Sequence, residues 1–174
     1  MKKELAANSL LYLICIVVAC LLNLAVMWMA VKITDLFISM EYFSLAVVKT
    51  VTSFITVPLV TGEVVFYTSY KSADFHLGMT ALSLVIAETV HLLLSVILGF
   101  YPFIASGSRY LAGIMTYGTK FTEDTLIPDI TLWTFIAAFL IYAVFNIAVC
   151  VAAGFIGKSR RIRQRKELTG DGNV

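Results

Sequence analysis

The chain has 174 residues, of which 60% are hydrophobic and 14% charged, with a formal net charge of +2. Soluble domains carry about 25% charged residues, and a chain of this length cannot bury so much apolar surface in water. Lipid is therefore the expected solvent, which excludes a soluble enzyme and a nucleic-acid-binding module.

Lys2 and Lys3 precede a first apolar stretch, residues 10–31 (LLYLICIVVACLLNLAVMWMAV). Its length exceeds the apolar core of a signal peptide, about 7–15 residues, and it has no small-x-small cleavage pattern, so it reads as a retained span. At 1.5 Å per residue it covers about 33 Å, enough for a bilayer core of about 30 Å. Trp28 suits the membrane interface, and Asn23 reads as a hydrogen-bonding residue between helices. A short charged connector, 32–42, leads to the second span, 43–67. A polar turn, 67–74 (YTSYKSAD), leads on to the third, 77–101.

The one long connector, 103–129, holds Arg109, Lys120, Glu123 and Asp124. Its segment 110–117 (YLAGIMTY) is apolar but too short to span; the connector reads first as an ordinary exposed loop, with a re-entrant or surface-lying helix over this segment as the alternative. The fourth span is 130–156, with Trp133 near its start and Asn146 and Cys150 inside. A basic tail, 158–174, follows. The expected fold is thus an all-α membrane bundle: a four-helix transmembrane domain (1–157) plus the tail.

The positive-inside rule orients it. Lys2, Lys3, Lys71 and the six basic residues of 158–166 (KSRRIRQRK) lie on the side of the termini, against Lys32, Arg109 and Lys120 opposite. Both termini are expected in the cytoplasm and the long loop outside, in the plasma membrane. Lys158, Arg160, Arg161, Arg163, Arg165 and Lys166 then face anionic lipid head groups, each contributing about 1 kcal/mol.

The apolar spans carry ionisable residues, costly by about 2.5–3.5 kcal/mol each on insertion scales and so the first place to look for function. In the second span Lys49, Ser53, Thr56, Val60, Glu63 and Tyr67 follow helical spacing. Ala81, Leu84, Glu88, His91 and Ser95 do the same in the third. The simplest arrangement is a hairpin of these two spans with the stripes facing, Lys49 snorkelling outward or reaching toward Glu88 and His91 as their counter-charge. Glu88, His91, Lys49 and Glu63 are the candidate proton- or substrate-coupling residues, and Pro58 a kink or hinge. The bland alternative is a structural Lys–Glu–His network that fixes helix register.

Glu88-x-x-His91 has the spacing of a di-iron ligand pair, but the chain lacks the second pair such sites need. Cys15, Cys20 and Cys150 form no C-x-x-C pair and lie in apolar spans. No cofactor, metal site or disulfide is expected. Hydrolase, metalloprotease and nucleotide-binding motifs are also missing from the sequence, which argues against an enzyme.

Residues 53–66 (SFITVPLVTGEVVF), ending in an aromatic before a lysine-bearing turn, and the four-span plan resemble the GtrA-like small membrane proteins. That resemblance implies flipping of polyprenyl-linked sugars. Here Gly62 and Glu63 replace the basic residues of the usual exit, and the outer loop is longer. The reading from the residues themselves is a non-enzymatic membrane protein that transports, or helps to transport, a solute or lipid-linked substrate. Four spans rarely enclose a pathway alone, so self-association or other membrane subunits are expected. The rival is a structural or regulatory scaffold whose outer loop binds a partner.

Overall fold

A computed structural model describes residues 2–36, 42–72, 75–99, 102–118 and 130–169. These form five α-helices: α1 (Lys2–Asp35), α2 (Tyr42–Lys71), α3 (Leu77–Ile97), α4 (Pro102–Tyr117) and α5 (Leu132–Thr169). Four of them, α1, α2, α3 and α5, are long and apolar enough to cross a membrane, as expected of an integral membrane protein. Residues 37–41, 73–74 and 119–129, parts of the two short connectors and of the long loop, lie outside the described residues.

Three helices outrun their predicted spans, α2 by four residues at its end and α1 and α5 by more. The 34 residues of α1 cover about 51 Å, and the 38 of α5 about 57 Å, both well beyond a bilayer core. In α5 the extra length is the basic tail, which continues as helix to Thr169. Tyr70 Oη donates to Gln164 Oε1 at 2.5 Å and Lys158 Nζ to the Phe75 carbonyl at 3.4 Å, so the extension is tied to the α2–α3 turn.

The hairpin expectation is not met. α2 packs on α5 and α1, α3 packs on the same two helices, and α2 and α3 barely touch. The four long helices form a square with α2 and α3 on one diagonal. Close approach of α2 and α5 depends on Gly157, whose missing Cβ would collide with Ser69 and with the Phe66 carbonyl, 2.6 Å away.

The fifth helix fills the square from one end. α4 contacts all four long helices, and Ile104, Ala105, Gly107, Ser108, Tyr110 and Ala112 on it are buried. A helix of 16 residues, about 24 Å, is too short to cross a bilayer core, and its buried face packs among the long helices. Its crossing of α2 requires glycine: a Cβ at Gly107 would stand 2.5 Å from Ser53 Cβ.

The inward face of α2 also differs from the predicted stripe. Thr50, Ser53, Val57, Thr61, Val65 and Ser69 are buried, whereas Glu63 and Tyr67 are exposed and Lys49 is partly so. A hydroxyl can be buried on its own helix because it bonds a carbonyl one turn back, as Thr50 does to Ala46 and Ser53 to Lys49, each at 2.8 Å. A carboxylate has no such outlet. The helix α2 runs through the buried Pro58 without interruption.

Candidate functional site

Glu88 and His91 sit one turn apart on the inner face of α3, 3% and 0% exposed. His91 Nδ1 lies 3.0 Å from Glu88 Oε2, and His91 Nε2 lies 2.7 Å from the backbone carbonyl of Ile104 in α4. A carbonyl oxygen only accepts, so Nε2 carries a proton. One further proton lies between Nδ1 and the carboxyl group. Whether it makes an imidazolium–carboxylate or an imidazole–carboxylic acid pair, the pair is neutral overall, which is what a buried site in a lipid-facing bundle requires.

The other carboxylate oxygen, Glu88 Oε1, accepts from Asn146 Nδ2 of α5 at 2.5 Å. Asn146 Oδ1 in turn accepts from Thr61 Oγ1 of α2 at 2.8 Å, and Cys150 Sγ donates to Thr61 Oγ1 at 3.3 Å. Three donors therefore point the same way, Cys150 to Thr61 to Asn146 to Glu88, whose other oxygen meets His91 and through it α4. Aligned hydrogen bonds in a low-dielectric interior reinforce one another. Thr61, Asn146 and Cys150 are at most 1% exposed. Cys20 Sγ of α1 approaches His91 Nε2 at 3.9 Å, and the Phe139 ring of α5 meets the imidazole edge-on with centroids 5.0 Å apart.

The network thus joins all five helices, with the imidazole as its last link to α4. A second cross-link supports it: Asn23 Nδ2 of α1 donates to Ser53 Oγ at 2.8 Å, the interhelical role predicted for Asn23.

The structure brings two of the four predicted coupling residues together and separates the others. Glu88 and His91 form the pair. Lys49 Nζ lies over the Tyr110 ring, 4.9 Å from its centroid, a cation–π contact with α4. Along α2, Lys49 is about 18 Å from Thr61, the residue through which α2 joins the network. Glu63, two residues past Thr61, points to the opposite side of the helix and is exposed. Asn146 and Thr61 take the place expected of Lys49. Asn146-x-x-x-Cys150, a polar pair at one-turn spacing in an apolar span, was the available signal for Asn146.

The three cysteines are free, with Cys15 partly exposed and Cys20 and Cys150 buried. Among the described residues there is no group of three or more metal-ligating side chains. Comparison of the chain with protein-family models, with curated proteins and with solved structures found no match. The likeness to GtrA-like proteins therefore rests on residues 53–66 and the span count alone.

Proposed function

We propose that this is a non-enzymatic membrane protein, a carrier or a subunit of one, in which the proton shared by Glu88 and His91 sets the seat of the re-entrant helix α4. The observation that supports this reading is the bond from His91 Nε2 to the Ile104 carbonyl, which places backbone of α4 on a titratable ring. The direction of the effect follows from valence. When the pair loses one proton, Nδ1–H remains with the Glu88 carboxylate and Nε2 presents a lone pair to the carbonyl oxygen. Attraction becomes repulsion, and α4 loosens as pH rises.

In this reading both termini are cytoplasmic, α4 enters from the outer side of the plasma membrane, and the basic face of α5 meets anionic head groups. Further copies or other membrane subunits complete the pathway, and the substrate is a solute or a lipid-linked molecule, including the polyprenyl-linked sugar implied by the GtrA-like likeness.

The test is amide hydrogen exchange of α4 in lipid nanodiscs across a pH series, alongside solute uptake by proteoliposomes under a pH gradient. Protection of α4 falls with rising pH in the native protein and becomes flat with pH in Glu88→Gln, which also loses the gradient-driven uptake. The scaffold reading is favoured by the complete hydrogen bonding of the network. It predicts α4 protection that ignores pH in the native protein, with Glu88→Gln merely less stable.

A further inference from the structure

Two buried hydroxyls of α3, those of Ser83 and Ser95, have no hydrogen-bond partner among the described residues, and both are 0% exposed. An unpartnered buried hydroxyl costs about 1–3 kcal/mol, and water is the usual remedy. Their positions relative to Glu88 and His91 differ. Ser95 follows His91 by one turn and Glu88 by two, within about 40° of both around the helix axis. Ser83 precedes Glu88 by five residues and points about 140° away from it.

The two ends of the pair's surroundings differ in the same sense. Toward the termini, one turn from Glu88 and one turn from Cys20, stand Leu84 and Ile16, both 0% exposed and part of one apolar cluster with Val65 and Ala87. Toward the α4 end, His91 is only about 9 Å from the last residue of α3, against about 21 Å to the first. Ser95 is two residues from that end. Leu92 and Val96, which flank it, pack against the α4–α5 cluster.

We propose that Ser95 holds water beside the Glu88–His91 pair, and that the pair exchanges protons through this position with the α4 end of the bundle only. Each exchange is one for one: a proton leaves a ring nitrogen for the Ser95 water as a solvent proton replaces it, so the pair keeps its charge. The titratable groups around the pair are Cys20 from α1, against the ring, and Cys150 from α5, which reaches it through Asn146; α2 presents Thr61, bonded to the same Asn146, and α4 the Ile104 carbonyl. This deepens the coupling reading above and depends on it only in that the shared proton is the coupled one.

The chain has two histidines, so in a His76→Gln background His91 is the sole imidazole. The experiment follows hydrogen–deuterium exchange of the ¹⁵N-labelled His91 ring in lipid nanodiscs by NMR. Ser95→Ala slows exchange at least about tenfold, the loss expected when a bridging water loses its anchor. Ser95→Thr, which keeps the hydroxyl, retains the parent rate, and Ser83→Ala leaves it unchanged. Equal rates in Ser95→Ala and the parent, a slow Ser95→Thr, or an equally slow Ser83→Ala would each overturn the proposal. These rates are independent of the α4-protection series, so the two readings fail separately.

Discussion

The second and third long helices carry similar polar content and treat it in opposite ways. On α3 the ionisable Glu88 and His91 face inward together with Leu84 and Ala87. On α2 the hydroxyls of Thr50, Ser53, Thr61 and Ser69 face inward while Glu63 is turned out. The difference is one of hydrogen-bond supply. A serine or threonine can bond a carbonyl of its own helix, as Thr50, Ser53 and Ser69 do, so its burial there needs no neighbour. A carboxyl group needs donors from elsewhere, and Glu88 has them from α5 and from its own His91, whereas Glu63 is left at the surface. The fate of a charged residue in a bundle is set by which partner sits opposite, more than by its depth along the span.

The comparison can be broken most directly at the imidazole. His91→Leu leaves Glu88 buried with only Asn146, and removing one member of such a pair costs about 3–5 kcal/mol. Chemical unfolding in detergent should show this loss, with α4 the first element to lose amide protection. Gly107→Ala is next, since its methyl group meets Ser53 at a helix crossing; overpacking of this kind costs about 1–3 kcal/mol. Pairing it with Ser53→Gly should cost less than the sum of the two, a coupling read from a double-mutant cycle.

Thr61→Val keeps the shape but removes the donor to Asn146, for a loss of about 1 kcal/mol in the same unfolding assay. Glu63→Gln, at the exposed position, should leave unfolding unchanged. A large effect there would mean that α2 buries its carboxylate after all, and the contrast with α3 would collapse.

Much of this organisation was legible in the chain. The four apolar runs gave the number of long helices, because backbone polar groups in lipid are satisfied only within a helix. The i, i+3 spacing of Glu88 and His91, and the lone Asn23, gave a pair and a cross-link that the structure contains. Segment 110–117 was recognisable as too short to span, but its packing against all four long helices is seen only in the structure.

What the sequence could not give was adjacency. A periodic pattern says which residues share a face, and the turn at residues 71–76 made α2 and α3 the natural neighbours. Their relative placement depends instead on which surfaces fit most closely: Gly157 lets α5 settle on α2, and Gly107 lets α4 cross α2. With α1 and α5 taking the places between them, Lys49 falls beside Tyr110 rather than Glu88. The glutamate's partner becomes an asparagine 58 residues away in sequence. The helices and the buried pair were thus written in composition and spacing. The identity of the pair's partners, and its hold on α4, were decided by side-chain packing between helices distant along the chain.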